Sequence, residues 1–124
     1  MNVLIADDNE VMRNLLKFYL KKYNVEIDEV TDGLEVLKKG KEKEYNLLFL
    51  DIYMPHLDGI NVVKYLKEHG NDVEIILISG NIEADIILEL QKFNIKYFLS
   101  KPIEITKFHE IMEEITVPVN NEQI

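Results

Sequence analysis

Cysteine is absent from the 124 residues, and with it go disulfides, thiolate metal sites and cysteine nucleophiles, so stability must come from packing. Positive charge is scarce. Fourteen Lys and Arg face 23 Asp and Glu for a net charge of −9, which disfavours a duplex phosphate backbone as a direct partner, because such binding rests on charge neutralisation. No apolar run approaches the roughly 20 residues of a membrane-spanning helix, and Asp7 and Asp8 fall where a signal peptide would be hydrophobic. Repeats, low-complexity tracts and a nucleotide-binding P-loop are missing too. The expectation is a soluble cytoplasmic protein with no membrane insertion and no direct nucleic-acid contact. At 47% apolar residues the chain is long enough for one closed core and too short for a multidomain enzyme.

Short apolar runs alternate with longer segments of helical spacing. Residues 2–6, 25–30, 46–50, 73–78 and 96–99 read as strands; the first, third and fourth are near-continuous Val, Ile, Leu and Phe, the pattern of a parallel sheet covered on both faces. Residues 9–23, 33–43, 60–68, 82–93 and about 104–115 read as helices. Five β-α units with right-handed crossovers predict an α/β sheet with helices on both sides. Residues 1–116 form the domain, and 117–124 are a short polar tail carrying Pro118.

Ligands of open α/β sheets bind beyond the carboxyl ends of the strands. Here those ends carry Asp7-Asp8, Asp51, Ser79-Gly80, and Ser100 followed by Lys101-Pro102. Asp8 or Asn9 can cap a helix, Asp51 can serve a turn, and Ser-Gly is a common loop pair. Independent caps and turns have no reason to gather an acid pair, an acid, a hydroxyl and a lysine at one sheet edge. Three crowded carboxylates repel one another, and a divalent cation with Lys101 cancels their charge. All-oxygen ligands select a hard ion, and few carboxylates with room for water and phosphate suit Mg²⁺ (or Mn²⁺) better than a Ca²⁺ cage. These are the parts of phosphoryl transfer to an Asp nucleophile.

The chain resembles the receiver domain of two-component response regulators, of which the single-domain chemotaxis regulators are one form. The resemblance rests on Asp7-Asp8, Asp51 followed by Met54-Pro55 and Asp58-Gly59, Ser79-Gly80, and Phe98 three residues before Lys101-Pro102. It implies a flavodoxin-like doubly wound sheet of five parallel strands, order 2-1-3-4-5, with five helices. It implies that Asp51 is the phosphoacceptor, taking its phosphoryl group from the phosphohistidine of a sensor histidine kinase. Asp8, Asp51 and the Tyr53 carbonyl would bind Mg²⁺, with Asp7 acting largely through water. Lys101, the Ser79 hydroxyl and the backbone N–H groups of Tyr53 and Gly80 would contact the phosphoryl oxygens, and the Lys101-Pro102 bond would be cis. Bulky Tyr53 and Asn81 would influence how long the acyl phosphate survives.

Phosphorylation would then be read by Ser79, whose turning hydroxyl frees space for the Phe98 ring and shifts the surface of the fourth helix, fifth strand and fifth helix. On the first helix, Met12, Leu16, Tyr19 and Tyr23 are predicted to face the sheet. A second stripe of Val11, Leu15 and Phe18, with Pro102 and Ile103, is predicted to dock the kinase. No effector segment is seen after the tail, so output is expected through a protein-binding surface on a downstream target, or by passing the phosphoryl group to a histidine phosphotransfer protein. Turnover of external substrates is not expected: an aspartyl phosphohydrolase resembles Asp-x-Asp, and here Tyr53 stands where the second acid would supply a proton. A flavin carrier would need a hydroxyl-rich loop where Asp7, Asp8 and Glu10 lie. A receiver that only binds partners is the remaining alternative.

Overall fold

The computed structural model describes residues 1–81 and 83–116; Ile82 and the tail expected over 117–124 lie outside the described residues. The elements run β1 (Asn2–Ala6), α1 (Glu10–Tyr19), β2 (Glu26–Val30), α2 (Gly33–Glu42), β3 (Leu47–Asp51), α3 (Gly59–Glu68), β4 (Glu74–Ser79), α4 (Ala84–Gln91), β5 (Tyr97–Ser100) and α5 (Ile105–Thr116). All strand pairs are parallel, in the order β2-β1-β3-β4-β5.

Period-two side-chain alternation divides the core between the two sheet faces. Val3, Ile5, Leu47, Phe49, Ile76 and Ile78 point to one side, where Leu16 and Leu20 and, from α5, Phe108 and Met112 cover them. Leu4, Ala6, Leu48, Leu50, Ile75 and Leu77 point to the other, against Val36 of α2, Val62, Val63 and Leu66 of α3 and Leu90 of α4. The central strand β3 is buried throughout, which is why its sequence is apolar without alternation.

Helix starts follow cap chemistry. Asn9, Asp32 and Asp58 accept from the backbone N–H of Met12, Glu35 and Asn61 at 3.2, 2.8 and 2.9 Å, satisfying donors that the first turn leaves open. At α4 the cap position is Glu83, which makes no such bond, and the helix spans Ala84–Gln91, shorter at both ends than the expected 82–93. The α-helical part of α1 stops at Tyr19, short of the expected 23. The Leu20 N–H reaches both Leu16 and Phe18 carbonyls, tightening the chain into a 3₁₀ turn over Leu20–Lys22. Leu20 is thereby fully buried, while Met12, Tyr19 and Tyr23 are only partly so.

β3, β4 and β5 each end one residue later than the apolar runs indicate. Asp51 pairs with Ile78, and Ser79 with Ser100, so polar residues occupy the last rungs of the ladder. Among the described residues no helix is long and apolar enough to cross a membrane.

Candidate functional site

From β1 the chain winds one way to β2 and the other way to β3, which opens a crevice at the carboxyl ends of β1 and β3. Asp7 follows β1 and Asp51 ends β3; both are buried, as is Ser79 at the end of β4, whereas Asp8 is exposed. One carboxylate oxygen from each of Asp7, Asp8 and Asp51 lies within 4.8 Å of the others.

Lys101 reaches this cluster from the turn after β5. Its Nζ is 3.3 Å from Oδ2 of Asp51, to which it donates, and 3.3 Å from Oδ2 of Asp7. The Lys101 N–H donates to the Ser79 carbonyl at 2.9 Å, which ties its backbone to the end of β4. The Lys101-Pro102 bond is cis, as the resemblance implies. The second oxygen of each acid is tied locally. Asp7 Oδ1 accepts from the Asn9 N–H at 2.9 Å and Asp51 Oδ1 from the Tyr53 N–H at 3.1 Å.

Burial and the charge of Asp7 push the Asp51 carboxyl up to about 6, against the opposing pull of the Tyr53 N–H and Lys101. Burial pulls Lys101 down, but the charges of Asp51 and Asp7 outweigh it and the net shift is upward. With its acids ionised the cluster sets three negative charges against one positive, an imbalance that a divalent cation would cancel. Buried Asp7 Oδ2 has Lys101 nearby but no aligned hydrogen-bond donor. An orphaned carboxylate oxygen in an all-oxygen donor set fits a hard cation, so the acidic cluster is able to hold a metal.

Ser79 Oγ accepts from the Asn81 N–H at 3.2 Å, and a Cβ at Gly80 would meet nothing within 4 Å, so the backbone there is open to approach. The Tyr53 side chain is exposed at the rim. Phe98 is partly buried against the α2–α4 side of the core.

Gly59, which enters the sequence reading only as part of the Asp58-Gly59 pair, has a steric role at the site. A Cβ there would lie 2.7 Å from the Asp51 carbonyl oxygen and 2.8 Å from the Ile52 Cα, so only glycine lets α3 begin directly beneath Asp51. The Asp58-Gly59 pair was the available signal.

A family-wide profile described as "Response regulator receiver domain" matches residues 3–113. The chain belongs to that family. Chemotaxis protein CheY of Thermotoga maritima is 30% identical over 115 residues, which cover 92% of this chain and 96% of that protein. Transcription factor SKN7 of Saccharomyces cerevisiae is 29% identical over 90% of this chain, but the match spans 18% of SKN7, and several other curated relatives are likewise matched over 7% to 35% of their length. The isolated REC domain of RcsB from Salmonella enterica serovar Typhimurium, solved in the presence of the phosphomimetic BeF3-, superimposes with a TM-score of 0.82 at 25% identity, covering 90% of this chain and 85% of that one.

The receiver domain's expected docking stripe is only partly available. Val11 is 76% and Phe18 60% exposed, Pro102 is exposed and Leu15 is half-buried against the core. Ile103 is a correction: it is 3% exposed, packed in the same cluster as Phe108, and its carbonyl accepts from the Tyr19 hydroxyl at 3.0 Å. The turn after β5 leaves Pro102 outside and sends the next side chain inward.

Proposed function

We propose that Asp51 accepts a phosphoryl group from the phosphohistidine of a sensor histidine kinase, and that the modified carboxylate resets the surface of α4, β5 and α5. The observation that carries this reading is the single ammonium shared at 3.3 Å by two buried carboxylates, Asp7 and Asp51, at the switch point of the sheet. One carboxylate oxygen of Asp51 attacks phosphorus in line while the phosphorus–nitrogen bond to the donor imidazole breaks. Lys101 turns from the carboxylates to the new phosphoryl oxygens, and the N–H groups of Tyr53 and Gly80 donate to them. Ser79 exchanges its bond from the Asn81 N–H for donation to the phosphoryl group. Asp8, Asp51 and the Tyr53 carbonyl would hold Mg²⁺ or Mn²⁺, with Asp7 through water. The ion supplies electrostatic neutralisation of the transferring group. Tyr53 rather than a carboxylic acid stands two residues after Asp51, where an aspartyl phosphohydrolase would carry its general acid, which supports self-modification over turnover of a second substrate.

The acyl phosphate carries close to two negative charges in place of one. A shift from 1:99 to 99:1 needs about 5.5 kcal/mol, whereas one charge-assisted hydrogen bond supplies roughly 1.5–3 kcal/mol. The Ser79 bond alone therefore leaves the Phe98 switch incompletely thrown, and Lys101 and a bound partner complete it. The exposed Val11, Phe18 and Pro102, with the accessible edge of Leu15, form the docking face for the kinase.

Incubation with a small acyl phosphate and Mg²⁺ followed by intact mass tests the reading. One phosphoryl adduct is expected, absent in Asp51→Asn; no adduct, or one that survives the substitution, overturns it.

A further inference from the structure

The loop from β3 to α3 carries both the Tyr53 backbone groups and His56, and the latter stands in the left-handed region at φ 69°. That conformation is unfavourable for a residue with a Cβ, although His tolerates it better than most. Something must hold it there. His56 Nδ1 lies 2.9 Å from Oδ2 of Asp32, the residue that caps α2 through its other oxygen. Next to Asp32, a Cβ on Gly33 would stand 2.0 Å from the Leu57 carbonyl oxygen, so the start of α2 is seated directly on the loop backbone.

The loop is thus gripped at two places. Near Asp51 the Tyr53 N–H donates to Oδ1 of that acid and the Gly59 N–H to the Ile52 carbonyl at 2.7 Å; at its tip, α2 holds residues 56 and 57. Asp32 presents to His56 the oxygen that does not cap α2, and the α2 backbone N–H of Glu35, then the His56 ring, hold its carboxyl below the usual range. The Glu35 carboxylate is occupied by the N–H and hydroxyl of Thr31, and Asp58 by Asn61. No lysine or arginine pairs with Asp32 among the described residues.

We infer that His56 is a positioning residue for phosphoryl acceptance: its ring, paired with Asp32, holds the β3–α3 loop so that the Tyr53 backbone groups stay in register with Asp51. The ring donates a hydrogen bond from Nδ1 to Oδ2 of Asp32, and that bond fixes the tip of the loop against the start of α2. This inference rests on Asp51 being the phosphoacceptor.

The test measures initial phosphorylation rates with a small acyl phosphate and Mg²⁺ at one pH, for the native protein, His56→Gln, Asp32→Asn and the double variant. Asn caps a helix as well as Asp, so Asp32→Asn removes the charge and keeps α2. The native protein should exceed His56→Gln by about two- to fivefold, the scale of an exposed polar pair. In the Asp32→Asn background the ratio should be near one. An unchanged rate in His56→Gln, or a His56 effect that survives Asp32→Asn, sinks the proposal. A second measurement stands apart from phosphorylation: in Asp51→Asn protein, adding His56→Gln should move the Tyr53 amide resonance, and should move it no further once Asp32→Asn is also present. Lack of any adduct in the native protein defeats the phosphoacceptor reading alone, whereas an unchanging Tyr53 amide defeats the His56 grip.

Discussion

The Lys101 ammonium lies 3.3 Å from Oδ2 of Asp51, yet this contact does not overcome the burial that holds the Asp51 carboxyl up at about 6. A carboxyl whose pKa is higher folded than unfolded binds its proton more tightly in the fold. Its stabilising contribution is present below pH 4 and lost as pH rises through about 6. The shift, in which the pull of Lys101 is already included, corresponds to roughly 2–3 kcal/mol of tension in the metal-free protein at neutral pH. Asp51→Asn, unable to ionise, should be more stable than the native protein by about 1–3 kcal/mol at pH 8 in chelator, and equal to it near pH 4. Mg²⁺ should close the gap at pH 8 by stabilising the native protein only. Urea midpoints at both pH values, with and without Mg²⁺, check this; equal midpoints at pH 8 in chelator would mean that the site is not electrostatically loaded.

The alternation of apolar runs with helical spacing made the β-α order legible, because the interiors of β1, β3 and β4 must be apolar on both faces. The convergence of Asp7, Asp8, Asp51 and Lys101 followed from the rule that strand ends meet at one edge. Strand limits were less legible: Asp51 and Ser79 are polar, so they read as loop, although their backbones complete the ladder beside Ile78 and Ser100. Ile103 read as surface because it follows Pro102, and nothing local discloses that the turn points it inward. The pairing of His56 with Asp32 joins residues 24 apart, a relation fixed only when α2 seats on the loop. The Asp58-Gly59 pair was visible in the sequence, but the reason for glycine there, the 2.7 Å approach to the Asp51 carbonyl oxygen, appears only in the fold.

Burial separates the two ends of the docking stripe. Phe18, 60% exposed with the Lys21 Nζ 5.6 Å from its ring, should be replaceable by Ala with little change in stability while lowering the specificity constant for phosphotransfer from the kinase. Ile103→Ala should do the reverse, costing about 2–4 kcal/mol by opening the core. Thermal melts paired with phosphotransfer kinetics resolve the two; a Phe18→Ala protein with unaltered kinetics would remove this face from the interface.

Two glycines carry opposite expectations. In α2 a Cβ at Gly40 would meet only the Asn71 Nδ2, at 3.8 Å, so Gly40→Ala should stabilise the protein by about 0.5–1 kcal/mol through helix propensity alone. After α3, Gly70 has φ +70° and open space around it. Its left-handed backbone lets the Asn71 N–H close on the Leu66 carbonyl at 2.9 Å, so Gly70→Ala should cost about 1 kcal/mol with no clash involved. Urea midpoints moving the same way for both would contradict the assignment.

Phe108 and Phe98 divide the aromatic ring's two uses, filling space and reporting change. Phe108 is fully buried, stacked on Phe49 with ring centres 5.6 Å apart and tilted against Tyr19 at 5.3 Å, so it joins α5 to β3 and α1. Truncation leaves a cavity that three elements cannot collapse at once, and Phe108→Ala should cost about 3–5 kcal/mol. Phe98 lies on the opposite face of the sheet, partly buried, near the side of the core covered by α4, the helix whose cap makes no side-chain hydrogen bond. A ring that must move with phosphorylation cannot be gripped on all sides, so Phe98→Ala should cost only about 1–2 kcal/mol while uncoupling partner binding from phosphorylation at Asp51. Denaturant unfolding and partner titration with and without BeF3- and Mg²⁺ separate these effects. If Phe98→Ala were as destabilising as Phe108→Ala and left the phosphorylation-dependent gain in affinity intact, Phe98 would be a core residue and the switch would lie elsewhere.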